Sequence, residues 1–409
     1  MNKYDVLIIG AGPAGLFTAI TTSKKNAKLK VGILEKNKSV GRKLLISGSG
    51  KCNLTNDKPA DALVHHYGTN KNFVKPCLHA FSSADFRSFL YQNKLSTVAV
   101  EKGKVFPQSM NAMDVVNLLE KTCRNQNVDI LTDTEVMAVS KNDDIFEVTT
   151  ESSTFYSKHL VVSTGGLTYP QTGSTGDGYI FAKNFGHKIR PTKFALAPLY
   201  IKNFDMSAFS GLSFSDMPFS HWRNNKKIAE YLGDILITHH GVSGPGIMDN
   251  SRYIVRGDVI KLNFTRAPAE EMKKVLTDRF NKNGKTLVRT VINELNLPKR
   301  LTAYFFTLAE IAENLKCAEL SKTKRVRLLS LLLEHELEVK EVGKAANAMV
   351  TAGGVDLKEV NSKTMESRKV EGLYFAGEVL DVDGDTGGYN IQVAVSMGYV
   401  VGQAIGNRV

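Results

Sequence analysis

The chain is poor in the features that announce self-contained chemistry. It has four cysteines in 409 residues, Cys52, Cys77, Cys123 and Cys317, and no two form a CxxC pair. That spacing argues against a structural zinc site or a disulfide framework and for a reducing cytoplasm. No acidic, histidine or cysteine cluster suggests a metal, and none is expected. No apolar run reaches the ~18 residues needed to span a bilayer. The apolar opening from Val6 to Ile20 is interrupted by glycines and Pro13, with no A-x-A-like cleavage site close behind, so it does not read as a signal peptide. A long basic tail and an aromatic-interleaved basic stripe are both missing. The net charge of +12 therefore reads as a solvated basic surface, and neither nucleic acid nor membrane is expected as a partner. No nucleophile triad or carboxylate pair emerges either.

What is present begins at once. Tyr4 to Ile9 (YDVLII) has the composition of a buried parallel strand, and Gly10 to Gly15 (GAGPAG) fits G-x-G-x-x-G before a helix over Leu16 to Lys24. Gly10 permits the tight turn, Gly12 lets backbone approach a pyrophosphate, and Gly15 lets helix pack closely on strand. Pro13 and Ala14 open the helix, whose free N–H groups and dipole suit phosphate. A second strand, Lys30 to Leu34, ends at Glu35, twenty residues after Gly15. An acid there accepts from ribose hydroxyls and repels a 2′-phosphate. Lys36 follows directly.

NAD and FAD share this fingerprint, and the far end of the chain discriminates. Gly372 to Glu378 (GLYFAGE) reads as a buried strand closing on Gly377 and Glu378. After a loop with Asp381, Asp383 and Asp385 comes Gly387 to Gln392 (GGYNIQ), then an apolar helix from Val393 to Ile405. A strand, an acid and a helix N-terminus make a second polar cradle, fit for a ribityl chain and the pyrimidine edge of a flavin. Gly388, Tyr389, Asn390, Ile391 and Gln392 are assigned to it. Its pairing with the first fingerprint favours FAD, bound noncovalently.

Between the ends lie Ser47 to Asn56 (SGSGKCNLTN), Gly103 to Pro107 (GKVFP), Thr164 to Pro170 (TGGLTYP), Gly173 to Gly178 (GSTGDG), Thr238 to Pro245 (THHGVSGP) and Thr364 to Ser367 (TMES). With Gly377 to Gln392 these make nearly the whole chain resemble a family of three-domain bacterial flavoproteins of the aminoacetone oxidase and 3-dehydro-bile-acid reductase type. The resemblance implies FAD and an oxidoreductase, without fixing a substrate. Lys51 stands where arginine is more usual, keeping charge but losing bidentate geometry. Thr168 stands where serine is more usual.

Arg42, Lys43, Ser47, Gly48 and Asn53 lie in a stretch that passes the pyrophosphate and ring in flavoproteins of this general topology. Cys52 has no close cysteine partner and reads as structural. Val128 to Val139 alternates as a strand, with Val136 where backbone holds an adenine. Thr164, Gly165 and Gly166 end another parallel strand close to the dinucleotide. Tyr169 and His239 are candidates for catalysis, though a structural loop role competes for each. The segment Gly173 to Gly178 either lines the ring or turns the chain.

The expected architecture is α/β: a Rossmann-like FAD domain of glutathione-reductase-like topology (1–190 with 367–409), a β-rich substrate domain (191–265 with 335–366) and a helical cap (266–334). Helices are expected over Ala267 to Phe280, Leu301 to Leu315 and Lys324 to Leu333. Such nesting would leave a substrate cleft over the flavin. The expected activity passes a hydride between a small amine, aminoketone or enone and either O2 or transiently bound NAD(P)H. A flavoprotein of RNA modification and a non-catalytic flavin sensor are the alternatives.

Overall fold

Val6 to Ile9 are buried on both faces, as a central parallel strand demands, and this is why the segment reads as an unbroken apolar run. In the computed structural model, which describes residues 2–408, Asn2–Ile9 pairs in parallel with Val31–Leu34 on one side and Thr154–Val162 on the other. Asp129–Leu131 adds beyond Val31–Leu34. The long strand Thr154–Val162 divides its remaining edge. Its first half pairs antiparallel with Ile145–Thr150, which continues to Val136–Asn142. Its last residues pair in parallel with Leu373–Phe375 from the far end of the chain. The C-terminal ends of the parallel strands, where open α/β sheets bind ligands, thus carry residues from both chain ends.

The strand expected over Val128 to Val139 is two strands. Asp133 takes a left-handed φ of 51° and donates its N–H to the Asn37 carbonyl. The chain turns there and leaves the parallel sheet for the antiparallel meander.

Pro13–Lys25, the opening helix, packs in parallel along Tyr389–Gly406, the terminal helix. The contact is built on Gly398, Gly402 and Gly406, four residues apart and therefore on one face. A Cβ at Gly398 would overlap the Ala14 carbonyl, one at Gly402 would lie 2.5 Å from Thr21 Cβ, and one at Gly406 would lie 2.6 Å from Lys25 Cγ. The partner positions advance together, so both N-termini face the same way.

Residues 2–195 and 344–408 form one compact unit and Leu196–Gly343 a second. The antiparallel pair Ile189–Ala195 with Val350–Val355 belongs to the first, where the sequence reading had ended the cofactor domain at 190 and resumed it at 367. In the second unit six strands close a barrel in the order Leu199–Ile201, Gly241–Ser243, Lys226–Ile237, Ser213–Arg223, Val259–Leu262 and His335–Val342. Helices Ala269–Lys282, Val288–Asn293, Lys299–Leu308 and Lys322–Leu333 share one apolar core with it, through residues such as Phe264, Phe305 and Leu332. The helix expected to reach Leu315 stops at Leu308, because Glu310 turns left-handed (φ 55°) and Ile311 N–H caps the Phe306 carbonyl. Among the described residues no helix is long and apolar enough to cross a membrane.

A buried carboxylate braces the barrel. Asp258 accepts from Arg223 Nε and Nη2 (2.8 and 2.9 Å) and the Val255 N–H (2.8 Å), with His221 Nε2 at 2.7 Å. Burial pushes its pKa up, but these partners outweigh that and hold the carboxyl below its ordinary value. A depressed folded value means the stabilisation is complete above about pH 4 and is lost as pH falls through the lowered value.

Asp258→Asn should cost about 3 kcal/mol, since it leaves charged partners of a buried group uncompensated; a urea melt at pH 7 checks this, and the gap to wild type should shrink as the pH is lowered below 4. Gly402→Val should destabilise the first unit by about 1–3 kcal/mol through helix–helix overpacking, read as a lower Tm.

Candidate functional site

The opening loop sorts its glycines by job. Gly10 has φ 99° and a Cβ there would sit 2.6 Å from the Ser163 carbonyl; at Gly15 it would overlap the Gly10 carbonyl. Both glycines are demanded by the protein itself. Gly12 is not: its φ of −79° suits any residue, and a Cβ would meet nothing within 4 Å. It faces open space at the N-terminus of the opening helix, where no side chain caps the first turn and Pro13 and Ala14 begin the helix. Unsatisfied N–H groups at such a terminus favour an anion.

Glu35, buried, accepts from the Ala11 N–H through Oε2 (2.8 Å) and from Asn37 N–H and Nδ2 through Oε1 (2.9 and 2.6 Å). The loop and the acid are thereby locked together. Thr134 N–H binds the Glu35 carbonyl, which sets Val136, the buried first residue of its strand, two positions away. Lys36 turns elsewhere, to Thr175 Oγ1 (2.5 Å) and Asp177 Oδ2 (2.6 Å). Asn37 Nδ2 holds the Thr172 carbonyl and Arg42 holds Asn37 Oδ1 (2.8 Å). The segment Gly173 to Gly178 is thus pinned beside residues 36 and 37.

Thr164 follows Ser163, whose hydroxyl donates to the carbonyls of Ile9 or Gly10, both at 3.0 Å. Its own Oγ1 is buried without a partner. Gly165 is left-handed, and a Cβ at Gly166 would sit 2.6 Å from Glu378 Oε1. Gly377 packs on Ala14, with 3.1 Å between Ala14 Cβ and a built Cβ. Glu378 is the hub where these segments meet. Its Oε1 accepts from the Thr351 N–H (2.9 Å) and Thr168 Oγ1 (3.2 Å), and its Oε2 from Lys43 Nζ (2.7 Å). Lys43 also donates to Thr168 Oγ1 at 2.7 Å.

The terminal helix opens on Gly388 (φ 97°), where a Cβ would overlap the Thr55 carbonyl, and its first turn also lacks a side-chain cap. Asn53, with its amide oriented to donate to the Thr55 carbonyl, accepts from the Gly388 N–H, both at 3.2 Å. Ser47 donates to the Leu44 carbonyl (2.7 Å), and Gly48, Ser49, Gly50 and Cys52 are all left-handed, coiling this loop tightly. Several expected contacts are spent inside the protein. Gln392 is fully buried between Thr55 Oγ1, the Phe81 carbonyl and Ser396. Asn390 ties the Gly384 backbone, and the Tyr389 ring stacks on His66 at 4.0 Å. Ile391 is half-buried.

His66, Lys58 and Asp385 form a cluster that sequence reasoning missed: His66 Nδ1 lies 2.9 Å from Asp385 and Nε2 3.0 Å from Lys58. With His66 and Asp385 separated by 319 positions in the sequence, no spacing could have flagged it. Thr351, the backbone donor to Glu378, was missed for the same reason. Cys52 is buried and its thiol is pushed up to about 12 by burial, against a lowering hydrogen bond with Ser47. It keeps its proton and has no cysteine neighbour, which fits a structural role. In the second unit His239 is exposed in the turn before Gly241–Ser243.

An uncapped helix N-terminus open at Gly12, a second uncapped N-terminus at Gly388 and the orphaned Thr164 hydroxyl fit an elongated, anionic, hydroxyl-bearing group such as FAD. Residues 4–404 match the family model described as HI0933-like protein Rossmann domain. A ribosomal RNA dihydrouridine synthase of Haemophilus influenzae is 32% identical over 415 aligned positions covering 100% of both chains. A 3-dehydro-bile acid delta(4,6)-reductase of Clostridium scindens is 31% identical, again over 100% of both. Among solved structures, 3-ketosteroid delta1-dehydrogenase from Sterolibacterium denitrificans superposes with TM-score 0.55 at 11% identity, over 100% of each chain, a likeness of fold. With a family model spanning almost its whole length and full-length relatives above 30% identity, the chain belongs to the HI0933-like Rossmann family of flavoprotein oxidoreductases.

Proposed function

We propose that the protein is an FAD-dependent reductase that saturates a carbon–carbon double bond conjugated to a carbonyl, drawing its electrons from NAD(P)H. One observation carries this reading. Two full-length relatives with different substrates in their names are both named for the same bond change. Dihydrouridine arises by adding two hydrogens across a uracil double bond conjugated to a ring carbonyl, and a delta(4,6)-reductase saturates a steroid diene. Neither is an amine oxidase, so reduction is favoured over the amine and aminoketone reading.

Bound FAD would supply hydride transfer, the one step that protein side chains cannot perform. The chain's own residues bind and orient it. The first-turn N–H groups after Gly12 would take the pyrophosphate. Glu35 keeps lone pairs for the adenosine ribose beyond those its protein donors use. Thr164 Oγ1 would find the partner it lacks. The first-turn N–H groups after Gly388 would face the electron-rich edge of the ring, where their dipole favours charge on the reduced form. Lys43, balanced by Glu378, keeps a cation close by.

As substrate we favour a uracil of ribosomal RNA over a free steroid. Composition alone does not single out RNA, since the +12 charge has no single tail or stripe. The full-length dihydrouridine synthase relative brings it back, and the same charge then suits a polyanion.

Two measurements test this. The purified protein should be yellow, absorbing near about 375 and 450 nm as flavins do. Gly12→Val should leave apoprotein stability nearly unchanged while weakening FAD about 10–100-fold, since the added methyls meet only ligand; titration of apoprotein with FAD checks it, and wild-type affinity in the variant would refute the assigned loop. In anaerobic stopped flow, NADPH or NADH should bleach the flavin. A ribosomal RNA transcript should then restore it with dihydrouridine in the product. Restoration by a 3-oxo-4,6-diene steroid alone would select the steroid instead. No bleaching by either nicotinamide would remove NAD(P)H as the electron source.

A further inference from the structure

Reducing a conjugated double bond needs a proton as well as a hydride, and the loop leading out of Thr164 to Gly166 holds a group suited to give one. Tyr169 has φ 55° and ψ 58° and is the one aromatic residue among those described with a positive φ. A residue bearing a Cβ resists this conformation unless its surroundings impose it. They do. Its N–H donates to the Ala345 carbonyl (2.7 Å), and its carbonyl accepts from both the N–H and the hydroxyl of Thr172 (2.8 and 2.7 Å). The preceding residue, Thr168, is held by Lys43 and Glu378, two residues of the assigned cradle. Backbone and neighbour are fixed, yet the half-buried phenol makes no hydrogen bond to any described residue. A strained backbone that fixes an uncommitted polar group is what positions a reactive side chain.

Three other proton carriers of these loops, Cys52, Lys43 and Thr168, are buried or engaged. The Cys52 thiol is buried. Lys43 is committed to Glu378 and Thr168, and the Thr168 hydroxyl lies within reach of both Glu378 and the Met349 carbonyl. Burial raises the pKa of the Tyr169 phenol, so it is protonated at neutral pH.

We propose that Tyr169 is the general acid of the reduction, giving its phenolic proton to the carbon α to the substrate carbonyl. The assignment rests on the reductase reading above. Bound FAD, once reduced, would supply the hydride that the β-carbon takes up, and the π electrons of the double bond would move towards the carbonyl. A new C–H bond forms at the α-carbon with the phenol's proton as the O–H bond breaks. The phenolate then recovers a proton from water. Two electrons and two hydrogens enter the substrate, and the flavin is left oxidised.

The experiment uses full-length holoenzyme and Tyr169→Phe, which keeps ring, Cβ and backbone while deleting one oxygen. FAD content, Tm and the rate of flavin bleaching by NAD(P)H should match wild type within about twofold, since none of them needs the proton. Reoxidation of the bleached flavin by the ribosomal RNA transcript, or by the 3-oxo-4,6-diene steroid, should slow about 100-fold or more. In wild type the reoxidation rate should fall as rising pH deprotonates the phenol, and in Tyr169→Phe that fall should vanish. This pH profile distinguishes an acid from a merely structural tyrosine. Reoxidation of Tyr169→Phe at the wild-type rate would overturn the assignment and leave the reductase reading standing. Wild-type flavin that neither probe reoxidises would overturn both.

Discussion

The site exists because two helices from opposite ends of the chain lie closer than ordinary side chains allow. Gly398, Gly402 and Gly406 remove every Cβ from one face of the terminal helix, and the opening helix settles onto that face at Ala14, Thr21 and Lys25. Because the helices run parallel, their positive ends face the same way and carry Gly12 and Gly388. Each uncapped terminus carries partial positive charge. Glycine in mid-helix is unfavourable by about 1 kcal/mol relative to alanine. Three on one face make sense when close approach is what they secure.

Charge within the cradle follows from that geometry. The Lys43 ammonium is bonded to the Glu378 carboxylate, and Gly377, the residue before it, packs on Ala14 at the start of the opening helix. Glu378 does more than neutralise. It reaches a lysine from the segment after Glu35, a threonine from the loop after strand Thr154–Val162, and a backbone N–H near residue 350. Four separate stretches of the first unit close on one carboxylate. A charged group satisfied by three donors is held rigidly, and removing any one partner would leave a half-buried charge short of compensation.

How legible this was depended on whether a residue's job is local. Gly10 and Gly15 are demanded by contacts with neighbouring backbone, so the six-residue motif carries its own explanation. Glu35 ends a strand at a fixed distance from that motif, which a parallel βαβ unit translates into proximity. The strands and helices of the second unit were recognisable by period, but not that helices and barrel share one core, since a period says which face is apolar and not what covers it. The Lys58–His66–Asp385 cluster and the Thr351 donor to Glu378 could not be read at all. Their partners meet only through tertiary closure, and no spacing encodes that. Gln392 shows the converse. Its place in a recognisable motif suggested a ligand contact, yet a buried amide needs several partners, and Thr55, Phe81 and Ser396 supply them.

That division bears on which residues a family of this kind can vary. Binding a dinucleotide uses backbone N–H groups and small residues, which do not choose between a nucleobase and a steroid. Bond chemistry requires a hydride source, common to both, and a proton source at a fixed distance from it. The proton donor proposed here, Tyr169, would belong with the shared chemistry, because its backbone is set by Ala345, Thr172 and the Lys43–Glu378 hub and not by the substrate. Substrate choice must then lie in surfaces that touch neither hub nor helix ends. Two relatives about equally similar along their full length, yet named for such different molecules, are what this separation of binding, chemistry and recognition would produce.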